Sequence, residues 1–203
     1  MSDLNAMLSA IRQCRVCVDT PSGRPLPHEP RPVLRASTTA RLAICGQAPG
    51  TRVHLSGMPF TDPSGDRLRS WLHMTSETFY DEARVAIVPM GFCFPGLDSK
   101  GGDLPPRREC ARLWHRDLFA ALPNVELILA VGAYAQAFHL GDNRGKTLRD
   151  TMLAWRTHLQ ERRTPRVFPL PHPSWRNNAW LNKNPWFEDE LLPVLRREVR
   201  KVV

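Results

Sequence analysis

Four short apolar runs, at 41–45 (RLAIC), 84–89 (RVAIVP), 125–131 (VELILAV) and 167–170, recur along the chain, and each leads into a loop marked by glycine or proline. Helical patterns stand between and after them. One covers 65–73, with Leu68, Trp71 and Leu72 on one face. Others cover 105–122, opened by two prolines, and 133–140. A terminal one covers 185–199, with Phe187, Leu191, Leu192 and Leu195 inward. Strands joined through helices need crossover connections, which make neighbouring strands parallel and put helices on both sheet faces. The expected class is therefore α/β, with a mostly parallel sheet in one domain spanning 1–203. A helix is expected over 2–17, a wrapping loop over 20–32, and an end to the last strand at Pro169, Pro171 and Pro173. In such sheets the site lies beyond the carboxyl ends of the strands, which here carry GQAPG, PMGFCFPG, VGAYAQ and PLPHPSWRNN.

The balance of 42% hydrophobic and 24% charged residues over 203 positions excludes a disordered tail or a fibre. The opening MSDLNAMLSAIRQC lacks the basic start and apolar centre of a signal peptide, and no membrane span is expected, so a cytosolic location follows. The net charge is +8, and 24 of the 28 cationic residues are arginine, whose planar fork grips phosphate in two places. Nucleic acid is the leading partner class. An arginine-rich surface inherited from genome composition is the plainer reading of charge alone.

Five cysteines in a reducing compartment are read for metal or catalysis before disulfides. Cys14 and Cys17 form C-x-x-C, and Cys93 and Cys110 form a wider pair. Two such pairs brought together by the fold complete a four-sulfur shell for zinc or an iron–sulfur cluster; a redox pair and no role at all also stay open at this point. Cys45, inside an apolar run, reads as a small buried hydrophobe.

Gly46 to Gly50 can cradle phosphate, yet the loop lacks the Lys-Ser/Thr pair of a nucleotide P-loop and the three-glycine dinucleotide spacing, so no nucleotide or nicotinamide cofactor is expected. The following SGMPFTDPSGDRL places Phe60, Asp62 and Asp66 in a short loop that starts a helix. A carboxylate, an aromatic face and a helix N-terminus then share one pocket, or Asp62 merely caps the helix while Phe60 packs in the core. His172 is clamped between Pro171 and Pro173 beside Ser174, at the end of a strand.

In this order, C-x-x-C, GQAPG…SGMPFTDPSGD, GFCFPG…C and HPSWRNN resemble the uracil-DNA glycosylase superfamily, and its iron–sulfur branches in particular, over nearly the whole chain. The resemblance implies a three-layer α/β/α sandwich around a short parallel sheet. It implies a 4Fe-4S cluster on Cys14, Cys17, Cys93 and Cys110, with zinc as the alternative. GQAPG matches the first catalytic motif, in which relatives carry an acid at the second or third position. Here Gln47 and Ala48 stand there, and neither carries charge. Some relatives take the acid from the next segment, which makes Asp62 the first choice and Asp66 the reserve. Phe60 matches the aromatic under the flipped base, and His172 the histidine that stabilises the departing base anion.

The expected site is thus Asp62, His172 and Gln47 for catalysis, with Gly46, Ala48, Phe60, Ser174 and Asn177 around the base and Trp175 and Arg176 entering the DNA. One departure concerns specificity. Pro89 stands where several relatives carry an asparagine that reads the uracil edge, which leaves backbone groups, Gln47 or Asn177 to read it. No lysine in the motifs offers a Schiff-base nucleophile. The implied activity is that of a monofunctional, monomeric glycosylase that removes uracil or a related deaminated base from DNA. The alternative is a protein of the same fold that binds uracil or abasic DNA without turnover.

Overall fold

The computed structural model describes residues 3–161 and 163–203. Four strands form the sheet: β1 (Leu42–Cys45), β2 (Val85–Ile87), β3 (Leu127–Val131) and β4 (Arg166–Leu170). They lie in the order β2-β1-β3-β4, and every neighbouring pair is parallel. Ile44 pairs with Ile87 on one side and Leu129 on the other, and Leu129 pairs in turn with Phe168. All four carboxyl ends therefore open on one edge.

Side chains alternate across a strand, and here both faces are buried. Ala43, Cys45, Ala86, Ile128, Ala130 and Val167 face one core, where their small size lets the helix Leu4–Arg12 approach through Leu4, Leu8 and Ile11. Leu42, Ile44, Ile87, Leu127, Leu129, Phe168 and Leu170 face the other, against Leu68, Trp71 and Leu72 of the helix Pro63–Leu72 and Phe187, Leu191 and Leu195 near the C-terminus. Each large side chain so buried contributes about 1.5–3 kcal/mol. The result is the expected three-layer α/β/α sandwich. Cys45 is fully buried and desolvation pushes its thiol pKa up, as befits a small hydrophobe. No helix among the described residues is long and apolar enough to cross a membrane.

Several element boundaries depart from expectation. The helix expected over 2–17 begins in sequence at Ser2, outside the described residues, and the remainder divides into Leu4–Arg12 and Val16–Asp19. A tight closure from Cys14 N–H to the Ile11 carbonyl (3.1 Å) ends the first helix, and the turn carries Cys17 into the interior. The helix expected over 105–122 starts at Arg108 instead, because Leu104 and Pro105 each precede a proline and are steered out of the helical region. It widens at Ala111–His115 into a π turn, where buried His115 sits 3.2 Å from the Cys110 carbonyl and 3.1 Å from that of Pro89. Pro169 does not stop β4 but lies within it. β4 pairs only with β3, and an edge strand tolerates a residue with no N–H to donate.

Candidate active site

The loops after β1 and β2 are tied together. Met90 N–H donates to the Gly46 carbonyl and Gly91 N–H to that of Gln47, both at 2.9 Å. Above them lies a cavity walled by Gly46, Gln47, Ala48, Phe60, Asp62, Asp103 and His172, and lined also by Ile87 and Pro89. A second, larger cavity continues from it along Arg67, Ser174, Trp175, Arg176 and Asn177, and the two share Gln47, Ala48, Asp62, Ser64, Asp103 and His172.

Phe60 is positioned at a conformational cost. Its φ is 56°, in the left-handed region that a bulky side chain rarely enters. Three contacts hold it there. Arg69 donates to the Phe60 carbonyl at 3.1 Å, the Tyr80 hydroxyl approaches the same oxygen at 3.0 Å, and the ring meets Phe79 edge-on at 5.9 Å. The ring tip lies over Gly46, where an added Cβ would come within 3.2 Å of it. Neither Tyr80 nor Arg69 was legible in sequence as a site residue, since the bonds that matter arrive from a different helix and from the far side of the loop.

Asp62 caps the helix Pro63–Leu72, its Oδ1 accepting from Gly65 N–H at 3.1 Å. It also faces both cavities, so the capping and pocket readings hold together. Asp66 is exposed and paired with Arg69 at 2.6 Å on the outer side of the same helix. His172 stands between buried Pro171 and Pro173, with its imidazole against Gly132, whose φ of 84° and missing Cβ make room for the ring. Burial lowers the His172 pKa and Arg176 lowers it further, against the opposing charge of Asp62. The imidazole is therefore neutral near neutral pH, a donor through one nitrogen.

The HPSWRNN loop is anchored from below. Arg67 donates to the Ser174 carbonyl (3.2 Å) and to Asn178 Oδ1 (2.7 Å). The Asn177 amide donates to the His172 carbonyl at 2.7 Å, closing the turn, and the residue lines the outer cavity. Trp175 is 73% exposed, with the Arg176 guanidinium 5.8 Å from its ring centre. A hairpin across 96–104 completes the wall. Asp98 N–H donates to the Gly102 carbonyl (2.7 Å) and Leu104 N–H to that of Gly96 (2.9 Å), and Leu97 and Asp103 form an antiparallel bridge. Asp103 was not singled out in sequence; its turn-rich surroundings, SKGGDLPP, mark a loop and nothing more.

Of the four cysteines outside the sheet, Cys17, Cys93 and Cys110 are buried and Cys14 is half-buried. Cys17 and Cys93 share a small apolar cluster with Leu26, and Cys17 and Cys110 lie within hydrogen-bonding reach. Cys93 senses the charges of both Cys14 and Cys17, and Phe92 N–H points at Cys110 Sγ from 3.5 Å. The Cys110 contact lowers the Cys17 pKa, helped by Arg107. Cys17, Cys93 and Cys110 thus lie near one another, and an N–H aimed at sulfur suits a thiolate. No group of three or more His, Cys, Asp or Glu side chains is spaced for a single metal ion among the described residues.

The order of these parts along the chain and their meeting at one sheet edge agree with a family-level match. Residues 35–196 fit the family model described as the uracil DNA glycosylase superfamily, a span that takes in every strand, both cavity walls and the helices between them, and the chain belongs to that superfamily.

Proposed function

We propose that this protein is a monofunctional DNA glycosylase that extrudes uracil, or a related deaminated base, and hydrolyses its bond to the sugar. The observation that carries the reading is the meeting of Phe60, Asp62 and His172 on one cavity at the carboxyl edge of the sheet. An extruded base lies on the Phe60 face. Bond cleavage leaves positive charge on the sugar and negative charge on the base, so the Asp62 carboxylate and a neutral His172 donor act on opposite halves of one transition state. Trp175, projecting beside the cavity mouth, fills the space the base leaves. The arginine excess supplies phosphate contacts.

Cys14, Cys17, Cys93 and Cys110 are the residues that would hold a 4Fe-4S cluster; four thiolates suit zinc equally, and the resemblance to the iron–sulfur branches is what favours the cluster. Bound there, such a cluster would brace the N-terminal loop against the cavity hairpin and carry no step of the hydrolysis. Pro89 in the cavity lining offers no amide, and buried His115 engages its carbonyl, so the choice of base falls to Gln47 and the loop backbone.

The test is a labelled oligonucleotide bearing uracil, hypoxanthine, xanthine or thymine, single- or double-stranded, with alkali to break any abasic product. Strand breakage at uracil is expected. Retention of uracil-containing DNA without breakage would select the alternative of a non-catalytic binding protein, a reading favoured by the uncharged Gln47 and Ala48 in the first motif. Visible iron–sulfur absorption after anaerobic purification is expected, and a colourless zinc protein would overturn the cluster.

A further inference from the structure

We propose that Asp103 is a second catalytic carboxylate of this site, the group that orients and deprotonates the water attacking the sugar. The inference rests on the glycosylase reading above and supplies the acid that GQAPG lacks. Asp103 faces both cavities alongside Gln47 and Ala48, the two positions without charge. Its Oδ2 lies where a side chain on Gly50, the last residue of that motif, would press: an added Cβ would come within 3.2 Å. The acid absent from the motif in sequence is thereby returned to it in space.

The other acids of this region are already committed. Asp62 Oδ1 caps a helix, Asp66 pairs with Arg69, and Asp98 Oδ1 accepts from Lys100 and Gly102 N–H, each at 2.8 Å. Asp103 accepts no hydrogen bond from a described side chain or amide, and Arg176, packed on Gly102, forms no ion pair with it. A carboxylate held on a pinned hairpin and left without a protein partner is available to water. Desolvation raises its pKa, with Asp62 and Asp98 adding to the rise and Arg176 opposing it, so it is a stronger base than an ordinary aspartate.

The step balances without another reactant. As the bond from C1′ to the base nitrogen breaks, its electron pair leaves on the base, where the His172 N–H meets the developing anion. A lone pair on the water forms the new bond to C1′, and Asp103 takes the proton that the water gives up. That proton passes through solvent to the departed base, restoring the carboxylate.

Single-turnover excision by wild type, Asp103→Asn and Asp62→Asn, together with binding of a non-cleavable fluorinated deoxyuridine oligonucleotide and thermal melting, tests the proposal. Asp103→Asn is expected to lose about a hundredfold or more in excision rate, with binding and melting close to wild type. Excision within about threefold of wild type would overturn the role and leave the glycosylase reading intact. A loss of binding equal to the loss of rate would also overturn it, assigning Asp103 to docking. An inactive wild type would instead remove the reading on which the proposal rests.

Discussion

The carbonyl oxygen of Phe60 occupies the place where a side chain on Gly65 would begin, 1.8 Å from an added Cβ. No rotamer relieves a clash with backbone, so Gly65→Ala must move either the start of the helix Pro63–Leu72 or the left-handed turn at Phe60. A cost of about 3 kcal/mol is expected in chemical denaturation. The displaced ring also costs affinity for a uracil-containing oligonucleotide. Tyr80→Phe is the milder counterpart. It keeps the edge contact with Phe79 and the Arg69 bond to the Phe60 carbonyl, loses the bond Arg69 donates to the hydroxyl, and is expected to lose about 1 kcal/mol. A Gly65→Ala protein as stable as wild type would contradict the close approach.

His139 gives stability a pH dependence of known sign. Burial pushes its pKa down to about 3, with His115 and Arg163 nearby adding to the drop, and its Nε2 has no partner among the described residues. In the unfolded chain an ordinary histidine gains its proton near pH 6.5, whereas the folded protein does not. Between those values the unfolded state binds the extra proton, so stability rises with pH and falls on acidification by about 1.4 kcal/mol per pH unit for this group. His139→Leu is expected to flatten the slope measured by urea denaturation across that window. His115 and His172, also lowered by burial, leave part of the slope behind. An unchanged slope would show that the ring is hydrated in the folded state.

Legibility followed the range of the interactions. The parallel sheet could be read because continuous apolar runs such as Leu42–Cys45 and Leu127–Val131 report burial on both faces. Phe60, Asp62 and His172 could be placed at one sheet edge because each stands in a loop directly after, or one helix from, a strand end. Asp103 and Tyr80 escaped for one shared reason. Asp103 is brought against Gly50 by a hairpin bridged to Leu97, and Tyr80 reaches Phe60 through a hydrogen bond across twenty residues, and no local period or spacing encodes those meetings. Pro169 misled because its effect on a strand depends on whether that strand is an edge, a tertiary property.

Trp175 projects into solvent from a short turn, with little of its ring in the core, so Trp175→Ala should leave stability within about 0.5 kcal/mol. Its expected effect is on context. Extruding a base from a duplex costs a few kcal/mol of unstacking and unpairing that a single strand largely avoids. Excision of uracil from duplex DNA should therefore fall about tenfold or more, and excision from single strands much less. Equal losses in both contexts would make Trp175 a stacking platform for the strand instead of a plug.

Arg176 stands between two readings of its own charge, a contact for DNA phosphate and a brake on the acids beside it. Its guanidinium packs at Gly102, 3.1 Å from where a Cβ would sit, and it lowers the pKa of both Asp98 and Asp103. If an ionised Asp103 is required, the excision rate falls as pH drops through its raised pKa. Removing Arg176 raises that pKa further, so the acid limb of the single-turnover rate for Arg176→Ala should move to higher pH, while Arg176→Lys holds it near wild type. Arg176 also lowers His172, and the loss of its charge raises both groups. The pair Asp103→Asn and Asp103→Asn/Arg176→Ala separates them: the displacement should vanish when Asp103 is already amidated. A displacement that survives in that background belongs to His172, and an acid limb unmoved by Arg176→Ala would mean that the guanidinium faces DNA and leaves the carboxylates untouched.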